Sequence, residues 1–312
     1  MPTMGLCLES ARRERWGVIL AGGDGVRLRP LTRRIAGDDR PKQFCPLLGR
    51  ETLLDRTRRR AAGLIQADRL LVVLTRAHEP FYAPVLGDAG SQLLAIQPEN
   101  RGTAPAILYG LLRIAALAPR ASVAIFPSDH HVADDDLFMR HAGAAFGALV
   151  DRPDLIVLLG ITPDGPEVEY GWIEPGEPIL GPQALYRVGR FWEKPSSDLA
   201  AMLWSRGCLW NSFVMVARVP ALLALIRKAM PDLYHAFVAV RPTLGTPLEG
   251  EVLRPLYAHL PPTNFSKEVL ETHPGRLAVL PVSGVGWTDL GDPRRVLDMR
   301  RQALREPDPL VA

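Results

Sequence analysis

Cysteine is scarce in this chain. Cys7, Cys45 and Cys208 are scattered and odd in number, which argues against a disulfide framework or a thiolate zinc site and for reduced thiols in the cytosol. No run approaches the ~18 apolar residues that cross a bilayer, so no membrane partner is expected. The first residues, MPTMGLCLESARRER, lack the long apolar core of a secretory signal. They read as a flexible extension over 1–14, and the location expected is cytoplasmic. Neither sign of charge dominates, and a net charge of +3 implies no nucleic-acid partner. Arg56, Arg58, Arg59 and Arg60 do cluster, but on an expected helix where a solvated face explains them. Internal repeats, low-complexity linkers and a second-domain boundary are also missing. Residues 15–312 are therefore expected to form a single domain.

At 47% hydrophobic the chain has ample material for a core. Short apolar runs alternate with amphipathic stretches through its first half. Strands are expected at Val18–Leu20, Leu70–Leu74, Leu93–Ile96, Ser122–Phe126 and Leu155–Leu159. Helices are expected at Glu51–Leu64, near His78–Leu86, at Thr103–Leu117 and at Asp136–Leu149. This order specifies an α/β fold, Rossmann-like and doubly wound, with a mainly parallel mixed sheet. Ligands in such folds bind at the carboxyl ends of the strands. From Pro163 onward proline and glycine become frequent, and Tyr170–Glu174 and Ala184–Phe191 read as a small subsidiary sheet. Helices resume at Ser197–Arg206, Pro220–Met230 and Asp232–Val240. One more strand, Leu277–Leu280, precedes a last helix, Pro293–Ala303.

Between the first strand and the first helix lies Ala21-Gly22-Gly23-Asp24-Gly25, followed by Arg27, Arg29 and Lys42. Glycines leave the backbone open to a close ligand, and their N–H groups converge readily on an anion. Fixed cations just behind them suit a polyphosphate. The dinucleotide fingerprint G-x-G-x-x-G is absent, and no Gly-Lys-Ser/Thr closes a P-loop.

Leu20-Ala21-Gly22-Gly23-x-Gly25-x-Arg27-Leu28-x-Pro30-Leu31-Thr32, with Pro41-Lys42-Gln43-Phe44 behind it, resembles the signature of sugar-1-phosphate nucleotidyltransferases. The Pro-Lys-Gln-Phe ending resembles the mannose-1-phosphate guanylyltransferase branch. The resemblance runs from Trp16 to about Val296. It implies a nucleotide-diphospho-sugar transferase fold in which a sugar-binding insertion, about 163–215, carries the small sheet and a helical portion follows.

Further segments carry the resemblance along the chain. Pro127-Ser128-Asp129-His130 and Gly286-Trp287-Thr288-Asp289-Leu290-Gly291 each place a carboxylate beside small residues. By itself Asp129 reads equally well as a turn or cap residue. His130 and His131 invite a zinc site, but no Cys or Glu ligand lies at suitable spacing. The family implies that Asp129 and Asp289 share one Mg²⁺. Gln97-Pro98-Glu99-Asn100-Arg101-Gly102-Thr103 resembles the family's nucleobase segment, with Gln97 where Glu is usual and Gly102 where Asn is usual. Thr103 is a plausible helix cap there. Glu169-Tyr170-Gly171-Trp172-Ile173 resembles Gly-Tyr-Gly-Tyr-Ile, and Glu193-Lys194 and Asn211 complete the sugar-phosphate side.

The resemblance thus implies nucleotide binding by Leu20, Ala21, Gly22, Gly23, Gly25, Arg27, Lys42, Gln97, Arg101, Gly102, Thr103, Ser128 and Asp129. Gly171, Glu193, Lys194 and Asn211 would receive the sugar phosphate. Arg27, Lys42, Asp129 and Lys194 would be catalytic. The substrates implied are GTP, or another nucleoside triphosphate, and mannose 1-phosphate, or another hexose 1-phosphate. A uridylyl- or thymidylyltransferase is the nearest rival, and Gln97 keeps it open. A non-catalytic sugar-nucleotide sensor is disfavoured by the presence of Asp129, Asp289, Lys42 and Lys194. A glycosyltransferase would need an Asp-x-Asp motif, and Asp134-Asp135-Asp136 reads better as the acidic first turn of a helix. A homodimer stays open, and no attached isomerase or repeat domain is expected.

Overall fold

The computed structural model describes residues 14–87, 90 and 93–303. The extension expected over 1–14 falls outside these, apart from Glu14, and so does Cys7. Val18-Ile19-Leu20 lies in a buried strand, β1 (Arg15–Leu20). Next come α1 (Arg29–Ala36), α2 (Leu53–Ala62), β2 (Leu70–Thr75), α3 (Glu79–Leu86), β3 (Leu94–Gln97), α4 (Thr103–Leu117) and β4 (Ser122–Pro127). Every residue of β2 and β4 is buried, because helices cover both faces of the sheet and leave no polar side to alternate with. Val18 belongs to the apolar cluster on one face and Ile19 to the cluster on the other. Complete burial of such a side chain contributes ~1.5–3 kcal/mol.

The chain continues through β5 (His130–His131), α5 (Asp135–Asp151), β6 (Ile156–Ile161), β7 (Gly171–Ile179), β8 (Leu185–Glu193), α6 (Ser197–Ser205) and β9 (Leu209–Arg218). It ends with α7 (Val219–Ala229), α8 (Pro231–Val240), α9 (Glu249–His259), β10 (Leu277–Val282), β11 (Thr288–Asp289) and α10 (Pro293–Ala303). Nine strands form one sheet in the order β3-β2-β1-β4-β9-β6-β10-β8-β7. The pairs β1–β2, β2–β3, β1–β4 and β6–β10 are parallel, while β9 runs against β4 and β6. The expected mainly parallel mixed sheet is present.

A small second sheet is present too, but with other members. It pairs β5 with β11. The strands expected to form it, β7 and β8, extend the main sheet instead, and β7 also pairs with β9. The side chains explain this. Gly171, Trp172 and Ile173 are buried like any central strand, whereas Pro175 and Pro178 in the exposed remainder accompany register shifts.

The acidic run near residue 135 behaves as expected: Asp134 caps α5 by accepting from the N–H of Leu137 at 2.7 Å, and Asp135 opens the helix. Arg60 departs from its expected solvated face. It is buried and ion-paired with Asp135. Cys45 and Cys208 are free and buried, and burial pushes both thiols up to about 11. Among the described residues no helix is long and apolar enough to cross a membrane.

Candidate active site

Leu20 and Pro127 are register partners at the ends of β1 and β4. The glycine loop and the loop bearing Asp129 therefore leave the sheet side by side. The glycine loop is fixed through its carbonyls. The amide nitrogen of Gln43 donates to the carbonyls of Ala21 (2.9 Å) and Gly23 (2.7 Å), and the hydroxyl of Thr75 donates to that of Gly22 (2.9 Å). Among the described residues no acceptor engages the N–H groups of Gly22, Gly23 or Gly25. They remain available to an anion. Gly25 has φ +59 and packs so closely on the backbone of Lys42 that a Cβ would lie 3.0 Å from its nitrogen. The turn brings Lys42 under the loop.

The ammonium of Lys42 lies 2.9 Å from Asp129 Oδ2 and 3.6 Å from Asp289 Oδ1, and donates to the carbonyl of Leu290 at 3.2 Å. Burial alone would lower the pKa of Lys42. The two carboxylates outweigh it and hold the ammonium protonated beyond its ordinary range. His130 Nε2 lies 3.7 Å from Asp129 and 4.0 Å from Asp289, and burial keeps this imidazole below its usual pKa despite both acids. The β5–β11 ladder sets Asp289 opposite His130. Behind it stands an aromatic wall: Trp287 meets His130 edge to face at 5.2 Å and Tyr170 at 5.1 Å, and Tyr170 meets Trp210 at 5.0 Å.

A cleft of about 430 Å³ runs from the glycine loop past the two aspartates to Glu193, Lys194 and Asn211. At one end of it Asn100 donates to Asp24 Oδ2 at 2.8 Å and accepts from the N–H of Gly102 at 3.0 Å. Towards the other end Asn264 donates to Glu193 Oε1 at 3.2 Å, and burial raises the pKa of this carboxyl. Two residues here hold left-handed backbone without being glycine, Lys194 (φ 51) and Phe213 (φ 60). Each such residue costs of order 1 kcal/mol, and strain of this kind gathers at functional sites. Phe213 is stabilised by the side-chain oxygen of Asn211, which accepts from its N–H at 3.1 Å.

Residues 16–306 match the sequence profile of the nucleotidyl transferase family. The chain belongs to that family. It is 32% identical over 293 residues to the xanthan biosynthesis protein XanB of Xanthomonas campestris pv. campestris, covering 91% of this chain and 59% of that protein. It is 30% identical over 292 residues to a mannose-1-phosphate guanylyltransferase of Escherichia coli strain K12, with 90% and 59% covered. The chain thus spans little more than half the length of these relatives. A solved structure described as mannose-1-phosphate geranyltransferase from Thermus thermophilus superimposes with a TM-score of 0.79 at 30% identity, covering 95% of this chain and 80% of that one.

In this nucleotidyl transferase the cleft gathers most residues singled out in the sequence: Leu20, Gly22, Gly23, Gly25, Lys42, Gln97, Gly102, Thr103, Ser128, Asp129, Gly171, Glu193, Lys194, Asn211 and Asp289. Three lie off it. Ala21 is buried beneath the loop. Arg101 is paired with Glu99 at 2.6 Å. Arg27 stands at an adjoining cavity, bound to Glu169 at 2.8 Å. Thr103 is the first residue of α4 rather than its cap. The cap is Gly102, and the Thr103 hydroxyl accepts from the N–H of Phe265 at 2.8 Å. No group of three metal-ligating side chains occurs among the described residues.

Several site residues had no assigned role in the sequence reading. Gln43, quoted only as part of Pro-Lys-Gln-Phe, holds the glycine loop. Glu169, quoted only as the first residue of the segment that resembles Gly-Tyr-Gly-Tyr-Ile, lies between Arg27 and Lys194. Tyr170 and Trp287 stood inside the quoted motifs, and their aromatic bulk was the available signal.

Proposed function

We propose that this chain is a mannose-1-phosphate guanylyltransferase: it transfers GMP from GTP to mannose 1-phosphate, giving GDP-mannose and pyrophosphate. The observation that carries the reading is the convergence of Asp129 and Asp289, 160 positions apart in sequence, on the ammonium of Lys42 at the mouth of the glycine loop.

Two neighbouring carboxylates open to a cleft fit Mg²⁺, which takes one or two carboxylates and completes its shell with water and substrate phosphates. Asp129 and Asp289 would hold the ion, and its charge would neutralise phosphate oxygens at the reacting centre. The rest is done by the chain itself. The free N–H groups of the glycine loop and the cations Arg27 and Lys42 bind the triphosphate. Lys194 holds the sugar phosphate, with Glu193 and Asn211 directed to sugar hydroxyls. An oxygen of the sugar phosphate attacks the α-phosphorus, a new P–O bond forms, and the bond to the β-phosphate bridging oxygen breaks to release pyrophosphate. The nucleophile is already ionised, so positioning and charge neutralisation supply most of the acceleration.

One observation favours a second reading, the same chemistry with another base. Both ends of the Gln97 amide are engaged within the protein, the oxygen by Tyr257 at 3.2 Å and the nitrogen by the carbonyl of Leu74 at 3.4 Å. A pyrophosphate-release assay over four nucleoside triphosphates and several hexose 1-phosphates decides. GTP with mannose 1-phosphate should give the highest kcat/KM in the presence of Mg²⁺. Another nucleoside triphosphate in first place supports the second reading, GTP with another hexose 1-phosphate overturns the mannose assignment, and no release with any pair overturns both readings. Asp129→Asn should lower kcat by at least about 100-fold with unchanged melting. Near-normal turnover would remove Asp129 from the mechanism.

A further inference from the structure

We propose that Glu169 is a built-in counter-anion which Arg27 and Lys194 exchange for the phosphates of the reactants, so that this carboxylate sets how tightly anionic substrates bind. The inference rests on the function proposed above. A single oxygen, Glu169 Oε2, lies 2.8 Å from Arg27 Nη1 and 3.5 Å from Lys194 Nζ. The two cations come from distant parts of the chain, Arg27 from the turn after the glycine loop and Lys194 from just past the end of β8. One carboxylate thus bridges them as a phosphate would. Arg27, with Lys194 assisting, holds the Glu169 carboxyl below the usual range, so it is ionised at neutral pH.

The bridge is built to be exchanged. Glu169 and Lys194 are about half exposed and Arg27 about two-thirds, and ion pairs of this kind are weak because water screens them. A phosphate presents more charge and more acceptor oxygens, and its hydrogen bonds to guanidinium and ammonium are stronger. A cavity of about 290 Å³ beside the cleft, bounded by Arg27, Glu169, Lys194, Asp289 and Arg295, gives the displaced side chain room to turn. Arg295 does not compete for it, being paired with Glu167 at 2.8 Å. The segment that this stretch resembles has glycine here, which supplies a second variant beside the isosteric one.

Isothermal titration of the wild-type protein, Glu169→Gln and Glu169→Gly with inorganic pyrophosphate and with mannose 1-phosphate tests the proposal. Both variants should bind each probe about three- to tenfold more tightly at low ionic strength, with the gain shrinking as salt screens the charges. KM for the hexose 1-phosphate should fall more than kcat changes, a split that a merely structural residue would not produce. Equal or weaker binding by variants that melt like the wild type overturns the proposal. So does a wild-type crystal with pyrophosphate bound in the cleft and the Arg27–Glu169 contact still closed. Pyrophosphate binding is read without turnover, so a chain inactive on every hexose 1-phosphate would sink the proposed function while this measurement still gives its own answer.

Discussion

The hydroxyl of Tyr257 donates to the side-chain oxygen of Gln97 across 3.2 Å, tying the last turn of α9 to the last residue of β3. Both groups are buried, and with the amide nitrogen directed at the Leu74 carbonyl the orientation of Gln97 is set by the protein before any base arrives. Removing the hydroxyl in Tyr257→Phe leaves a buried amide oxygen without its donor, at a cost of about 1–2 kcal/mol. The melting temperature should fall by about 2–6 °C. The ratio of kcat/KM between GTP and UTP should also move, by about tenfold if Gln97 reads the base. A lowered melting temperature with an unchanged ratio would make Gln97 a packing residue only.

Lys42 neutralises two acids that the fold forces together. In Lys42→Gln they face each other without a cation. Losing one partner of a fully buried pair costs several kcal/mol, and the partial exposure of Asp129 and Asp289 reduces this to about 1–3 kcal/mol. Magnesium chloride should raise the melting temperature of the variant more than that of the wild type, because a bound cation restores the missing charge by mass action. Equal shifts in the two proteins would mean that Asp129 and Asp289 do not share an ion. In the wild type the pair holds through neutral pH. It is lost at the alkaline end as pH rises through the elevated pKa of Lys42, and at the acid end as pH falls through the lowered pKa of Asp129.

Gly102 is dictated by backbone, not by ligand. It has φ +87, and a Cβ there would lie 2.4 Å from the carbonyl oxygen of Thr263. That oxygen also accepts from the N–H of Ala104 at 3.1 Å, and the N–H of Thr263 donates to the carbonyl of Arg101 at 2.9 Å. The alanine variant must open this crossing. Gly102→Ala should cost about 2–4 kcal/mol, from positive-φ strain and a clash that cannot relax through a flexible side chain. Chemical denaturation measures it, and a change below about 0.5 kcal/mol would show that the crossing is plastic.

The parallel half of the sheet was legible because its strands are unbroken apolar runs, as in Leu70–Leu74 and Ser122–Phe126. The loops at their ends were legible because glycine and aspartate are conspicuous just beyond such runs. What stayed hidden was long-range. Asn211 reads as the end of a strand, but the place of that strand, β9, at the centre of the sheet, with Asn211-Ser212 near its start, is set by pairing partners far away in the sequence. Ser212 is tolerated only because its hydroxyl donates to the carbonyl of Leu159 at 2.6 Å, a partner 53 positions away. α9 carries Pro255 in its interior, which masks it as a helix. α1 follows the glycine loop at once, and Arg29, its first residue, was read with Arg27 and Lys42 as a cation for a polyphosphate and not as the start of a helix. The second sheet is made of two-residue strands, too short for any periodicity to reveal. The Asp129–Asp289 meeting came from resemblance alone, and the structure supplies the distance of each carboxylate to Lys42.

The ladder of β5 and β11 has a consequence for biosynthesis. A ribosome moves from start to finish, and the scaffold through β4 uses only the first 127 residues. Asp289 arrives long afterwards and must thread into place against His130. Until that late segment docks, a nascent molecule owns one half of its acidic pair. It can therefore complete most of its architecture in the cell while the paired acids of its cleft have yet to exist.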